Sequence, residues 1–384
     1  MKSKIVLLGP AYPLRGGLAT FNESLAKALQ QRGHEVRIIT FSLQYPSFLF
    51  PGKSQYGRDK APAQLSIEAK VNSVNPVNWL AVGRRLRKAQ PDLIIPSFWL
   101  PFMGPSLGII SALARKNGQS LSIALVHNLI PHESRPGDRI FTKLFTRSMD
   151  GFVALSQEVL NDIKAFEPGR PAAWHPHPIY DHFGPRIPRG EALRQLALPA
   201  DKKYLLFFGF IRPYKGLDIL LRAMAHEILK SRDDLRLIVA GEFYEDEKKY
   251  MNLISEAGLE EKVILHTKFI PDAEVARYFS AAHAVVQPYR SATQSGVTQI
   301  AYHFDVPMIV SNVGGLPEIV PHGRVGLVTE PEEGALARAI DEILDEKRLK
   351  KFSAAIGEEK KRFSWDKMGE AFEKLYLSIK EKKP

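Results

Sequence analysis

Arg212 and Lys215 stand in the run Phe-Gly-Phe-Ile-Arg-Pro-Tyr-Lys-Gly, residues 208–216. Two fixed cations beside a glycine turn suit a diphosphate. They would stabilise the charge that develops as a nucleoside diphosphate departs. The stretch Gly-Pro-Ala-Tyr-Pro-Leu-Arg-Gly-Gly, residues 9–17, closes on Gly16 and Gly17 and leads into a helical pattern. Strand, glycine loop and helix in that order present backbone N–H groups to phosphate. A third run, Ser-Ala-Thr-Gln-Ser-Gly-Val-Thr-Gln-Ile-Ala, spans residues 291–301. It offers Ser295, Gly296 and Val297 as backbone donors at a helix start, with Gln299 as a partner for a ribose or sugar hydroxyl. His127 falls at a strand end in Val-His-Asn-Leu-Ile-Pro-His-Glu, residues 126–133, followed by the weaker candidates His132 and Glu133. A neutral imidazole there can hydrogen-bond a sugar hydroxyl or an acceptor. Each motif also has a bland reading: a tight turn, surface cations, an ordinary N-cap, a structural histidine.

Other chemistries lose ground. The first glycine loop is neither G-x-G-x-x-G nor G-x-x-x-x-G-K-[ST], against a nicotinamide cofactor and P-loop hydrolysis. No G-x-S-x-G marks a serine hydrolase. His175 and His177 in Trp-His-Pro-His-Pro lack a third partner at ligand spacing and read as interdomain loop residues. No Asp-x-Asp motif ends a strand, so no metal is expected and the two cations take over its task. The chain contains no cysteine, which removes disulfides, thiolate zinc sites and a cysteine nucleophile, and fits a reducing compartment.

The elements that must position these residues alternate. Short apolar runs at Lys4–Leu8, Val36–Phe41, Asp92–Pro96, Ser122–His127 and Gly151–Ser156 read as buried parallel strands. A second series follows at Tyr204–Gly209, Arg236–Gly241, Val263–His266, Ala284–Pro288, Pro307–Ser311 and Gly326–Thr329. Amphipathic helices lie between many of them. The clearest runs from about Leu18 to Arg32, with Leu18, Phe21, Leu25 and Leu29 on one face and Gly33 as its stop. Strand–helix alternation in two series predicts an α/β fold of two Rossmann-like doubly wound domains. The seam is expected in Phe183–Lys203, with Pro185, Pro188 and Pro199. The expected domains are residues 1–184 and 185–364, with a helix over 365–384 packing back on the first. Its apolar residues are Trp365, Met368, Phe372, Leu375 and Tyr376.

The 384 residues are long enough for two domains, and 45% are hydrophobic, enough for sizeable cores. The opening apolar run, Ile5–Leu8, is too short for a signal h-region, and no segment is long and apolar enough to span a bilayer. A cytoplasmic location is expected. The net charge of +11 is uneven: residues 1–120 hold 16 Lys and Arg against 5 Asp and Glu, and the rest sums to zero. A basic first half suits a solvated surface or an anionic partner. Nucleic acid is the weakest such partner, since no basic–aromatic stacking platform or known module is present.

Together these pieces resemble the GT-B-fold glycosyltransferases of family 4, also called glycosyltransferase group 1. The resemblance covers nearly the whole chain. Gly16-Gly17 looks like that family's donor-diphosphate loop, and Gly209–Gly216 with Asp218–Leu221 is similar to its cation-bearing loop and following helix. Val306–Val320 resembles its sequence after the donor site, and the Trp365 tail its final helix. Two departures stand out. The family's Glu-x7-Glu pair falls on Ala292 and Ile300, with Gln299 one residue away, so both carboxylates are missing. Its arginine falls on Phe210, and Arg212 substitutes for it.

The resemblance implies a retaining, metal-independent transfer from a nucleotide-sugar donor to a sugar, glycan or lipid-linked acceptor, in a cleft between the domains. It assigns Arg212 and Lys215 to the departing diphosphate and His127 to the sugar. Ser295–Val297 would meet phosphate or sugar, Gln299 the ribose, and backbone around Phe269 and Ile270 the base. No cofactor is implied. Basic, aromatic surface around Phe48-Leu49-Phe50, Lys53, Arg58 and Lys60, with a second cluster at Arg84, Arg85, Arg87 and Lys88, would dock an anionic inner-membrane face peripherally. Two alternatives share the fold: a sugar-nucleotide 2-epimerase, and a non-catalytic nucleotide-binding subunit.

Overall fold

The computed structural model describes residues 2–46, 55–57, 61–116, 118–130, 136–180, 183–292 and 295–382. Phe48, Leu49, Phe50, Lys53, Arg58, Lys60, His132 and Glu133, named above, lie outside the described residues, as does Gln294 of the run 291–301. The chain divides into two compact units, Met1–Pro176 with Ser364–Pro384, and His177–Phe363. This division falls ahead of the proline-rich stretch because Ile179, Tyr180, Phe183 and Ile187 pack on the second unit's core.

In the first unit the strands are β1 (Lys4–Leu8), β2 (Glu35–Leu43), β3 (Ser66–Asn72), β4 (Leu93–Phe98), β5 (Leu121–Val126), β6 (Gly151–Ala154) and β7 (Ala172–Trp174). They form one parallel sheet in the order β3-β2-β1-β4-β5-β6-β7. The helices are α1 (Gly17–Gln31), α2 (Pro76–Ala89), α3 (Gly104–Arg115), α4 (Asp138–Arg147) and α5 (Gln157–Phe166). Strands β4, β5 and β6 are buried throughout, which their continuous apolar runs require. Residues of α2 to α5 pack on one face of the sheet, around Leu107, Ile110, Phe145 and Phe152. There Gly104 and Gly108 let α3 approach the backbone of α4, since a β-carbon at Gly104 would meet the Phe141 carbonyl oxygen at 2.3 Å.

The second unit holds β8 (Lys203–Phe208), β9 (Leu235–Ala240), β10 (Val263–His266), β11 (Ala284–Gln287), β12 (Met308–Ser311) and β13 (Gly326–Thr329). Its parallel order is β10-β9-β8-β11-β12-β13. Its helices are α6 (Arg189–Gln195), α7 (Leu217–Ala225), α8 (Glu227–Lys230), α9 (Lys248–Glu256), α10 (Asp272–Ala281), α11 (Gly296–His303), α12 (Leu316–Ile319), α13 (Glu333–Ile343) and α14 (Glu346–Glu359). Two apolar clusters, one on each face of this sheet, confirm the doubly wound arrangement.

The last helix, α15 (Trp365–Glu381), belongs to the first unit. Ser364 caps it, and Met368, Phe372, Leu375, Tyr376 and Ile379 bury its apolar stripe against α1 and the sheet. Arg32 fixes its polar side, bonding Glu373 at 2.6 Å and also pairing with Asp366.

Two strands escape the apolar-run criterion. Strand β3, Ser-Ile-Glu-Ala-Lys-Val-Asn, is an edge strand with one fully buried residue, and β7 is a three-residue edge. Neither needs a buried apolar run, so neither carries the signal. In each sheet the strand order reverses beside the first strand of its series, between β1 and β4 and between β8 and β11. Open α/β sheets bind ligands outside the carboxyl ends of strands at such points.

Candidate functional site

In the second unit the switch point gathers most of the expected residues. Gly209 follows β8 with φ 91°, a left-handed value that favours glycine. A β-carbon there would stand 3.1 Å from the Lys215 ammonium nitrogen and 3.8 Å from Val297 Cγ2. The chain then turns through Arg212 and a short 3-10 segment, Pro213–Lys215, into α7. Gly216 makes the turn at φ 69°, and a β-carbon on it would collide with the Pro288 carbonyl oxygen at 2.0 Å. Loop and strand β11 are therefore in direct backbone contact.

Asp218 and Arg290 brace this turn. Arg290 donates to both carboxylate oxygens of Asp218, at 2.9 and 2.6 Å, and to the Pro213 carbonyl at 2.7 Å. Burial alone would raise the Asp218 carboxyl. The Arg290 hydrogen bonds, together with the charges of Arg290 and Lys249 and a backbone hydrogen bond, outweigh it, and the net shift is downward.

Lys215 is only 8% exposed. Its nitrogen lies 5.7 Å from the centroid of the Tyr289 ring, and no carboxylate pairs with it among the described residues. Burial, reinforced by the charge of Arg212, lowers the ammonium to about 8. Arg212 itself is exposed, its guanidinium 5.0 Å from the Tyr244 ring centroid. Phe210 packs on the same ring at 4.5 Å. Arg212 thus stands beside the residue that occupies the family's arginine position.

Across the switch point, Ser295 caps α11. Its hydroxyl accepts from Val297 N–H at 3.2 Å and donates to Gln287 Oε1 at 2.6 Å. Gly296 is exposed, and a β-carbon on it would meet the Tyr180 ring at 3.3 Å. The Tyr180 hydroxyl donates to His177 Nε2 at 3.1 Å, while His177 Nδ1 donates to the Pro178 carbonyl at 2.7 Å. Ser295, Gly296 and Val297 therefore share one place with Gly209 and Lys215. Gln299 does not join them on the open side: it is fully enclosed, and neither amide atom has a partner among the described residues. Phe269, 60% exposed, and Ile270 follow β10, two strands from β8 at the sheet edge.

In the first unit, Gly16 is the N-cap of α1 and Gly17 its first residue, both exposed. Among the described residues no side chain caps this helix, so the Gly17 and Leu18 N–H groups are available to an anion, while the Ala19 N–H bonds the Gly16 carbonyl. The preceding loop is held by Asn22, which donates to the Pro10 carbonyl at 2.8 Å and accepts from the Ser97 hydroxyl at 2.6 Å. His127 follows β5, 7% exposed, with its backbone N–H donating to the Phe98 carbonyl at 2.9 Å. Phe21 packs edge-on against the imidazole, centroids 5.0 Å apart, and Trp365 packs edge-on against Phe21 at 4.9 Å.

His175 and His177 fall on either side of the division between units and gather no metal-holding group of three among the described residues. Of the basic cluster on α2, Arg85 bonds Glu68 at 2.7 Å, and Arg87 and Lys88 lie in the last turn, where cations complement the helix dipole. No helix of the described residues is long and apolar enough to cross a membrane. Sequence reasoning missed Tyr289, Tyr244, the Asp218–Arg290 brace and the His177–Tyr180 pair. These are contacts between distant positions, so no local pattern announces them.

Residues 15–179 match the family model Glycosyltransferase Family 4, and residues 188–363 the model Glycosyl transferases group 1. A D-inositol 3-phosphate glycosyltransferase of Catenulispora acidiphila is 32% identical over 313 residues, covering 76% of this chain and 73% of that protein. That of Streptomyces scabiei is 30% identical over 245 residues, 60% of this chain, and the match spans about half of that relative, 54%. Among solved structures, Anabaena HepE in complex with UDP has a TM-score of 0.74 at 18% identity, covering 98% of this chain and 100% of that one. At that identity the likeness is one of fold.

Proposed function

Because the chain belongs to the group 1 glycosyltransferases, with a family 4 glycosyltransferase first half, we propose that it transfers a sugar from a nucleotide-sugar donor to a glycan or lipid-linked acceptor. One observation carries this reading. An enclosed ammonium, Lys215, sits at a topological switch point with no paired carboxylate among the described residues and a second cation nearby. Burying an uncompensated charge is expensive, and an arriving anion offsets the cost. The exposed glycine start of α11 adds the Gly296 N–H to the same place, while the Val297 N–H is taken by the Ser295 cap. Such a site suits the diphosphate of a donor.

In the proposed reaction an acceptor hydroxyl oxygen attacks the anomeric carbon as the bond from that carbon to the diphosphate oxygen breaks. The leaving oxygen takes the hydroxyl proton on the same face, so configuration is retained. Lys215 and Arg212 stabilise the negative charge that accumulates on the diphosphate, and no divalent metal is required. Ser295, Gly296 and Val297 contact phosphate or sugar, and backbone around Phe269 and Ile270 the base. Within the first unit, Gly16 and Gly17 offer backbone N–H groups to an anion, and His127 can hydrogen-bond a hydroxyl.

The test is turnover. The chain is incubated with uridine, adenosine and guanosine diphosphate sugars, with and without acceptors that include inositol phosphates. Nucleoside diphosphate release is then measured. The UDP complex of HepE and the inositol-phosphate relatives make those the first arms to run. Release that depends on an acceptor, and falls about 10²- to 10³-fold in Lys215→Met, is expected. Epimer formation without acceptor would move the assignment to an isomerase. Nucleotide binding without any turnover would move it to a binding subunit.

A further inference from the structure

Three consecutive residues at the carboxyl end of β11 hold the cation loop, each in a different way. The Pro288 carbonyl oxygen lies against Gly216. Arg290 bonds Asp218 and the Pro213 carbonyl, and its backbone N–H donates to the Tyr214 carbonyl at 2.7 Å. Between them Tyr289, 3% exposed, places its ring beneath the Lys215 ammonium. The Tyr214 ring packs edge-on against it, centroids 5.9 Å apart. The Tyr289 hydroxyl is hydrogen-bonded to Ser295. The Ser295 hydroxyl gives its one proton to Gln287 Oε1, so it accepts from both Tyr289 and Val297 N–H. One side chain therefore touches the cation at its ring and the cap of α11 at its hydroxyl.

The enclosed ammonium needs such a partner. Desolvation works against its charge, and Arg212 adds repulsion. The acid in the first turn of α7, Asp218, has both carboxylate oxygens on Arg290. Tyr214 and Ser295, the other polar side chains around Tyr289, are neutral near pH 7. An aromatic face attracts a cation within about 6 Å of its centroid, and the attraction grows once water is removed. We propose that Tyr289 is a positioning residue for the diphosphate site: its ring face holds the Lys215 cation in place, and its hydroxyl, fixed on Ser295, keeps that face turned toward it. An aliphatic side chain would also serve the surrounding apolar cluster, which includes Val297 and Ile300. Only an aromatic ring offers the ammonium a negative face. The inference rests on the reading of Lys215 as the cation that meets the diphosphate, and it names what sets the working pH of that site.

The experiment follows the ammonium directly. In the full chain with isotopically labelled lysine ε-carbons, the Lys215 signal is assigned by its loss in Lys215→Met and titrated by NMR without ligand. Wild type should titrate at about 8. Tyr289→Phe keeps the ring face and should stay there. Tyr289→Leu removes the face and should move the midpoint down to about 7. A ring-fluorinated phenylalanine in place of Tyr289 keeps the shape of phenylalanine with a weakened negative face, so it serves even where Tyr289→Leu folds poorly. Its midpoint should fall below that of Tyr289→Phe. The basic limb of kcat/KM should move with the ammonium, so that activity at about pH 8 relative to about pH 6 drops about fivefold in Tyr289→Leu. Equal midpoints in the phenylalanine, fluorinated and leucine variants, with or without a loss of stability, overturn the proposal. A wild type that binds no nucleoside diphosphate sinks the donor reading instead, and the titration still decides the role of Tyr289.

Discussion

The Lys215 ammonium nitrogen stands 3.1 Å from the point where a side chain at Gly209 would begin. That proximity explains why a glycine closes β8, and it makes the glycine a probe of the cation. Gly209→Ala must adopt a left-handed backbone, at about 1–2 kcal/mol, and must push the ammonium aside. Thermal denaturation should show the modest stability loss, and titration should show a larger loss of nucleoside diphosphate affinity. Unchanged affinity would separate Lys215 from the anion site.

The lowered ammonium sets a pH profile. kcat/KM reports the free protein, so it should fall as pH rises through about 8 and Lys215 loses its proton. Lys215→Arg keeps its charge and should remove that limb at a reduced rate. Folding responds in the opposite direction. Between about 8 and the ordinary lysine value of 10.5 the unfolded chain holds more protons, so stability of the unliganded protein should rise with pH. Denaturant midpoints across this window, for wild type and Lys215→Met, check it, and the variant should lack the rise.

Asp218→Asn tests the brace beneath the turn. It leaves Arg290 with one neutral partner where it had two charged hydrogen bonds, at 2.9 and 2.6 Å. A cost of about 1–2 kcal/mol is expected, discounted because Arg290 is partly exposed. Since Arg290 also holds the Pro213 carbonyl, donor KM should rise with it, measured by steady-state kinetics.

The attachment of α15 should be acid-labile. Arg32 hydrogen bonds, aided by His34, hold the Glu373 carboxyl down to about 2 against burial. Stability from this contact is complete above the ordinary glutamate value of 4.5 and should be lost as pH falls from there toward 2. Arg32→Ala should lower stability at neutral pH by about 2 kcal/mol and flatten that acid dependence. Chemical denaturation at stepped pH measures both.

What the sequence revealed follows what each feature buries. Strands such as β5, enclosed on both faces, announce themselves as apolar runs, whereas β3 and β7 lie near sheet edges and do not. The placement of Arg212, Lys215 and Ser295–Val297 beside the second sheet's switch point was legible because glycine turns at strand ends mark such points. Lys215 being enclosed, Arg212 resting on Tyr244, and Gln299 being shut away from the open side were not. Those outcomes depend on side chains brought together from distant strands.

The central claim is that a nucleoside diphosphate is held by the Lys215 cation. Calorimetric titration of UDP, ADP and GDP into wild type and Lys215→Met near neutral pH measures it most directly. The account predicts saturable binding of at least one of them to wild type, weakened about 10- to 100-fold in the variant, the worth of a charge-assisted hydrogen bond. Equal affinity in the two proteins, or no binding of any nucleotide to wild type, would contradict it.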